Sequence, residues 1–351
     1  MMCPVTFVIT QGVGLMLRRV LTVALIGACF LAIPTESRIA TAAETQFIRV
    51  AVIAPRDSDL SKTFLKLDKS LRASTQNAWG VRLYAGGTAG DETDVLRKIK
   101  VGQMDCTTIT SIGLSQIVRE TTLLNLPGII RGYKQLEAVQ AVMNKEWEAG
   151  FDKSGYKLLR WGETGQLRWF AKAPITRPTA IRTMRPWVWP ASSSSKGIMA
   201  ATGATGVPLG VPEVFGALQT GMIDMVISTP VALVALQWHS NLKNMTKITT
   251  GVLVGAVIVD AAKWKLMPAA VQEHVSSDLT KNNIADRDEI RSADERSYAA
   301  LLKRGYKTNE WDGEALKEYE QMVLTIQNSL AGRMYPAATL ARVKQLAASA
   351  K

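Results

Sequence analysis

The chain has 351 residues, 47% hydrophobic and 21% charged, which excludes a disordered, collagen-like or coiled-coil protein. At roughly 100 to 200 residues per domain, that length suggests two domains. The net charge of +12 comes from 42 Lys and Arg interspersed with 30 acidic residues. No window concentrates like charge as a nucleic-acid arm does, so nucleic acid is not an expected partner.

The first 43 residues read as a leader. Arg18 and Arg19 precede the uncharged run Val20 to Ile33, then Pro34 and the small residues Ala40-Thr41-Ala42-Ala43, the order of a secretory signal. The run is shorter than the about 20 residues of a membrane span. Cleavage near Ala42 or Ala43 would place the mature chain in the periplasm, and Met16 would make a more usual start than Met1. Ile26-Gly27-Ala28-Cys29 loosely resembles a lipoprotein box, but apolar residues continue past Cys29, so lipid anchoring is the less favoured reading. Losing Arg18, Arg19, Arg38 and Glu36 takes the net charge from +12 to +10 and leaves Cys106 as the single cysteine. An intramolecular disulfide is then impossible, and the core must carry the stability.

FIRVAVIA, 47 to 54, reads as a buried strand, followed by a helix from about Leu60 to Thr75 capped by Asp57 or Ser58. A strand at Val81 to Tyr84, the glycines Gly86 and Gly87, a helix from Asp91 to Val101 and a strand from Asp105 to Thr110 complete an α/β unit with a parallel sheet. Ligands of such sheets gather beyond the carboxyl ends of the strands, which points to Ala54 to Arg56, Gly86 to Gly90 and Thr110 to Ile112. Tyr156 to Ala171 is long enough to cross from one domain to the next. The alternation then repeats: strand 187–189, helix 195–203, short strand 207–209, helix 212–220, strand 224–228. Val252 to Val259 reads as a strand returning to the first sheet. From Pro268, at a first helical position, no further Pro or Gly interrupts the chain to Lys303, which reads as a helix about 50 Å long spanning both domains, with Lys281-Asn282-Asn283 a place for a break.

Catalytic constellations are missing from the sequence. His239 and His274 lack metal spacing, no G-x-S-x-G elbow occurs, and Cys106 lies on a predicted strand, where an inert buried thiol is expected. Gly86 to Gly90 and Gly203 to Gly206 match neither the phosphate loop nor the dinucleotide fingerprint. No enzyme activity and no cofactor or metal are expected. Trp161, Trp169, Trp187, Trp189 and Trp238 fall at predicted domain junctions, where concave sites form. They could equally be core residues, and Trp187 and Trp189, on one face of a strand, could pack on each other.

Three segments carry a family resemblance: AGGTAGDETDVLRKIKVGQMDCTTITS at 85–111, LPGII at 126–130, and GATGVPLGVPEVFGALQTGMIDMVIST at 203–229. In them the chain resembles the solute-binding subunit of tripartite ATP-independent periplasmic (TRAP) transporters. WVWP at 187–190 and LVALQWHSNLKNMT at 233–246 further resemble a subgroup associated with an extra T component. The resemblance implies a two-lobed, periplasmic-binding-protein-like α/β fold with crossing strands and a long spanning helix. It also implies closure on a small organic ligand and delivery to the transporter's membrane subunits, with a T-component protein as a further candidate partner. The expected division is 44–165 with 250–267 as domain I, 166–249 with 305–351 as domain II, and 268–304 as the spanning helix. Candidate ligand-binding residues are Ala54, Thr110, Ser111, Arg168, Trp187, Val211, Ser228 and Thr229.

The family's arginine on the second-domain strand binds a ligand carboxylate through its planar fork. Aligned without gaps from Ala173 to Glu213, that position is Trp187. Arg185 lies two residues earlier. Arg168 is one residue out of register with another family arginine, whose place Leu167 takes. A Trp-lined site suits a flatter, more apolar ligand, and a simple carboxylate held by the usual arginine is not expected. A protein that binds a partner, with no tight small ligand of its own, is the alternative.

Overall fold

The computed structural model describes residues 44–281 and 283–350. The expected leader, its cleavage point and Cys29 lie outside the described residues. Strand β1 (Gln46–Ala51) stops three residues before the end predicted for it. Val52 still donates to the Tyr84 carbonyl at 2.9 Å, but the Ala54 carbonyl has turned to Gly86, because Pro55 fixes its own φ and offers no N–H to a ladder. Ser58 caps α1 (Asp59–Ser74), which buries Phe64, Leu67 and Leu71 against the sheet. Then come β2 (Trp79–Tyr84), α2 (Glu92–Lys100), β3 (Cys106–Thr110), α3 (Ser111–Ile117) and α4 (Tyr133–Lys153). Cys106 opens β3, buried, and burial drives its thiol far above the ordinary range.

The 16-residue β4 (Tyr156–Ala171) is followed by β5 (Trp187–Val188), α5 (Ser193–Thr202), β6 (Val207–Pro208), α6 (Val211–Thr220), β7 (Met225–Ser228) and α7 (Pro230–Ala235). Both α5 and α6 end on a left-handed glycine, Gly203 and Gly221, as glycine at that position allows. The predicted strand at 187–189 keeps only two residues because Pro190 has no N–H to continue the ladder.

A short β8 (Asn244–Thr246) leads into β9 (Gly251–Asp260) and then α8 (Ala261–Leu266), α9 (Ala269–Lys281), α10 (Asn283–Lys303), β10 (Lys307–Asn309), α11 (Gly313–Leu330) and α12 (Ala337–Ser349). The predicted single helix thus has two described segments on either side of Asn282. His274 of α9 shares a hydrogen bond with Ser70 of α1, Oγ to Nε2 at 3.0 Å.

The main sheet has the order β10-β8-β4-β9-β3-β1-β2, with β7 also on β4. Pairing is parallel among β1, β2 and β3 and antiparallel where β9 meets β3 and β4. From Tyr156 to Leu167, β4 pairs with β9; from Arg168 to Ala171 it pairs with β7 and β8. One strand therefore crosses between two α/β lobes, and β5 and β6 form a separate small sheet. Helix α9 packs on α1 and β4, α10 on β4 and α7, α11 on α5, and α12 on α4.

The crossing strand is bolted to α10. Register shifts between Leu158 and Arg160 and between Glu163 and Gly165 bend it, as bulges do. Gly165 sits at φ +118°, and a Cβ there would lie 2.5 Å from Cγ of Asp294. That carboxylate uses the space: Oδ2 accepts from the Gln166 N–H at 2.9 Å and Oδ1 from the Val231 N–H at 3.1 Å. One turn earlier Arg291 grips buried Glu163 through two hydrogen bonds of 2.8 and 2.7 Å and reaches Glu137 of α4 at 2.8 Å.

Candidate functional site

The lobes meet beyond the carboxyl ends of β1 and β3. Ile53 and Ile112, which follow those strands, pack on a cluster containing Trp187, Trp189, Val211 and Trp238. Trp187 and Trp189 stack with centroids 5.7 Å apart and planes 28° apart, and Trp238 meets Trp187 edge-on at 5.2 Å. Two residues of one face on a strand bring the first pair together. The 3₁₀ turn Trp238–Asn241, entered through Gln237 at φ +60°, brings the third.

Each indole of the stacked pair uses its N–H. Trp187 Nε1 donates to the Leu209 carbonyl at 2.8 Å, within its own lobe. Trp189 Nε1 donates across the junction to Asp91 Oδ2 at 2.6 Å. Asp91 caps α2 after the glycine turn, and that turn touches the far lobe: a Cβ on Gly87, which has φ +72°, would lie 2.8 Å from Pro212 of α6. Gln116 Nε2 to the Ala191 carbonyl (3.1 Å) and Ser194 Oγ to Asn125 Oδ1 (2.8 Å) join the lobes elsewhere.

Polar groups at this junction are acidic. Burial raises the Asp91 pKa, against the opposing pull of the Trp189 N–H and of the Glu92 and Val211 backbone N–H groups; Asp94 adds to the rise. Next to it Glu92 is fully buried and pushed up to about 8. It accepts from the Thr110 N–H (2.7 Å), the Thr110 hydroxyl (3.0 Å) and the Gly113 N–H (3.0 Å). Those bonds favour the charged form, but desolvation outweighs them. Neither carboxyl has an ion-pair partner among the described residues. Ser111, the first residue of α3, is fully buried and its hydroxyl has no hydrogen-bond partner.

The remaining candidates divide. Ala54 is half-buried, and its carbonyl accepts from the Gly86 N–H at 2.9 Å. Val211 opens α6 beside the indoles. Ser228 ends β7 opposite Arg168. Thr229 is buried, caps α7, and donates from Oγ1 to the Thr164 carbonyl at 2.9 Å. Arg168 turns to the spanning helix: its Nη1 donates to the Thr246 carbonyl at 3.1 Å and to the Lys247 carbonyl, and its Cζ lies 4.5 Å from the Tyr298 ring centroid. Arg185 is exposed and paired with Asp224 at 3.1 Å. Neither arginine belongs to the indole cluster.

Two of the expected junction tryptophans lie elsewhere. Trp161 packs on Trp147 and Phe151 of α4 and donates to Glu148, while Trp169 meets Trp311 edge-on at 5.5 Å in the core. Alternation along β4 separates Trp169 from Phe170, which joins the Trp187 cluster. Sequence reading missed Asp91 and Glu92 as junction residues, since an acid at the start of a helix ordinarily reads as a cap. Their place directly after a Gly-rich turn at a strand's carboxyl end was the usable signal.

Two α/β lobes, a crossing strand and a polar-edged aromatic junction define a binding protein of the two-lobed periplasmic type. Residues 50–331 match the profile of the bacterial extracellular solute-binding proteins, family 7 (DctP), and the chain belongs to that family. The C4-dicarboxylate-binding periplasmic protein DctP of Rhodobacter capsulatus is 23% identical over 333 residues, 94% of this chain and 98% of that one. The sugar acid binding protein DctPAm of Advenella mimigardefordensis, solved with galactonate, superposes with a TM-score of 0.79 at 15% identity, covering 88% of this chain and 99% of that one. A TRAP periplasmic solute binding protein of Shewanella oneidensis, solved with succinate, gives 0.78 at 14% identity, covering 87% and 99%. Among the described residues no helix is long and apolar enough to cross a membrane.

Proposed function

We propose that this protein captures a small organic ligand between its lobes and delivers it to the membrane subunits of a TRAP transporter. The observation that carries this reading is the stacked Trp187–Trp189 pair, bonded through Trp189 to Asp91 of the opposite lobe. In this arrangement the pair is buried, so a flat ligand edge would meet an indole face and the polar edge of the junction once the lobes part, the mixture typical of small-molecule sites. Ala54, Thr110, Ser111, Val211, Ser228 and Thr229 form the proposed surround.

The relatives bind a C4-dicarboxylate, galactonate and succinate, which favours an organic acid and lends no support to a ligand without a carboxylate. What differs is the anchor. With Trp187 in the family's arginine position, the ligand is held by stacking, burial and hydrogen bonds in place of an arginine fork. A T-component partner rests only on the 187–190 and 233–246 segments.

Mass spectrometry of ligand extracted from natively purified protein tests the reading. A stoichiometric small organic acid is expected; protein that is empty but co-purifies with another protein would overturn it. Intact mass of the same sample should show a start close to Ala43 or Glu44, against an acylated Cys29 form.

A further inference from the structure

A second cleft lies beside the point where β4 changes partners. It has a volume of roughly 480 Å³ and is bounded by Gln166 and Arg168 of β4, Arg131 before α4, the 247–249 link between β8 and β9, and Leu316, Tyr319 and Glu320 of α11. None of its residues belongs to the indole junction. At about 30 Å³ per water the space exceeds a few solvent molecules and suits a small organic acid.

Its charge is unbalanced. Arg131, Arg168 and Lys247 face one acid, Glu320. Lys247 is already paired with Glu310, whereas Arg131 and Arg168 have no ion-pair partner among the described residues. Arg131 is exposed, its Nε directed at the Gly128 carbonyl at 3.3 Å, and its charge is felt at the Tyr319 hydroxyl. Arg168 is the more telling. Its Nη1 is spent on two backbone carbonyls, while its Nε is buried with no acceptor. Asp294, whose charge is felt at Arg168, is committed to the Gln166 and Val231 N–H groups. A buried donor without an acceptor, on a half-desolvated cation without a counter-ion, is a standing cost that an anion would remove.

We propose that this cleft is an anion-binding site, with Arg168 and Arg131 as its charges, and that it takes a small oxyanion: the carboxylate of an organic acid or inorganic phosphate. Its lining shares no residue with the proposed surround of the ligand site, although Arg168 pairs with Ser228 across β4 and β7.

Calorimetric titration of the full mature protein with succinate and, separately, with phosphate at low salt tests this. Binding of at least one anion is expected, weakened about tenfold or more by Arg131→Glu and by added salt, as loss of an exposed-side charge contact implies. Arg131 is exposed, so its variant should melt like the wild type. Arg168→Lys, which keeps the charge but loses the fork, should weaken binding by a smaller factor. Response to succinate alone identifies an organic acid, and response to phosphate alone identifies the inorganic ion. Silence toward both anions overturns the proposal, as does wild-type affinity in Arg131→Glu. Loss of binding in Trp187→Ala with retention in Arg131→Glu would also overturn it, by moving the anion to the junction.

Discussion

Two regions of this molecule hold buried carboxylates, and only one of them supplies a cation. At the crossing strand Glu163 is matched by Arg291 and Asp294 by two backbone N–H groups. At the lobe junction Asp91 and Glu92 have hydrogen-bond donors but no cation, beside indoles with few polar neighbours. The first arrangement fixes a geometry, because Arg291 and Asp294 tie α10 to the crossing strand and to α7. The second offers no cation and keeps one buried hydroxyl, that of Ser111, without a partner. Fully paired networks rigidify, and a buried polar group without a partner calls for an explanation of its own.

The contrast breaks most readily at the strand. Arg291→Met leaves Glu163 buried without its cation and should cost about 3 to 5 kcal/mol, read as a lower denaturation midpoint at neutral pH. A loss below about 1 kcal/mol, the size of a surface pair, would show that the bolt is ornamental.

At the junction the matching test is pH. Burial lifts Glu92 from its ordinary 4.5 to about 8, so the folded protein holds a proton that the unfolded chain has lost. That contribution is fully present below about 4.5 and is lost as pH rises through 8. Glu92→Gln should flatten the slope by on the order of a few kcal/mol across that window. Denaturation of wild type and variant at both ends measures it, and parallel slopes would contradict the assignment. The readout is the slope, because the new amide group also disturbs the bonds from Thr110 and Gly113.

Sharper still is Trp187→Ala, which should weaken binding of the inter-lobe ligand by roughly 1 to 3 kcal/mol through lost stacking and burial. Calorimetry with the extracted ligand decides; unaltered affinity would make the indole a core residue only. Arg185→Ala is the smallest change. Its exposed pair with Asp224 contributes about 0 to 1 kcal/mol to stability, and ligand affinity should not move. Abolished binding in that variant would restore an arginine to the site.

The alternation of elements was legible because a period of two and a period near 3.6 leave their marks wherever one face is buried. FIRVAVIA, the Gly221 stop and the long 156–171 strand all show it. Strand ends were less so: Pro55 and Pro190 cut β1 and β5 short through local geometry that periodicity does not register. The indole site was half legible. Alternate positions on the predicted strand announce the Trp187–Trp189 stack, but nothing local tells Trp169, packed on Trp311, from Trp187. That distinction depends on which face of each strand a distant helix covers. Asp294 was hidden for the same reason. Its role follows from a bulge at Gly165, 129 positions earlier in the chain, and no spacing rule links the two.

Cys106 has a practical consequence. A thiol buried at the head of β3 and held protonated is chemically silent, so a chain produced from Glu44 onward, with Cys106 as its single cysteine, offers a clean background for site-directed labelling. Cysteines placed at Val101 and Met222, both exposed, on α2's end and between α6 and β7, could carry spin labels or a dye pair without first deleting a native thiol. The separation between those probes, followed as solute is added, would turn opening and closing of the lobes into a ruler reading in solution.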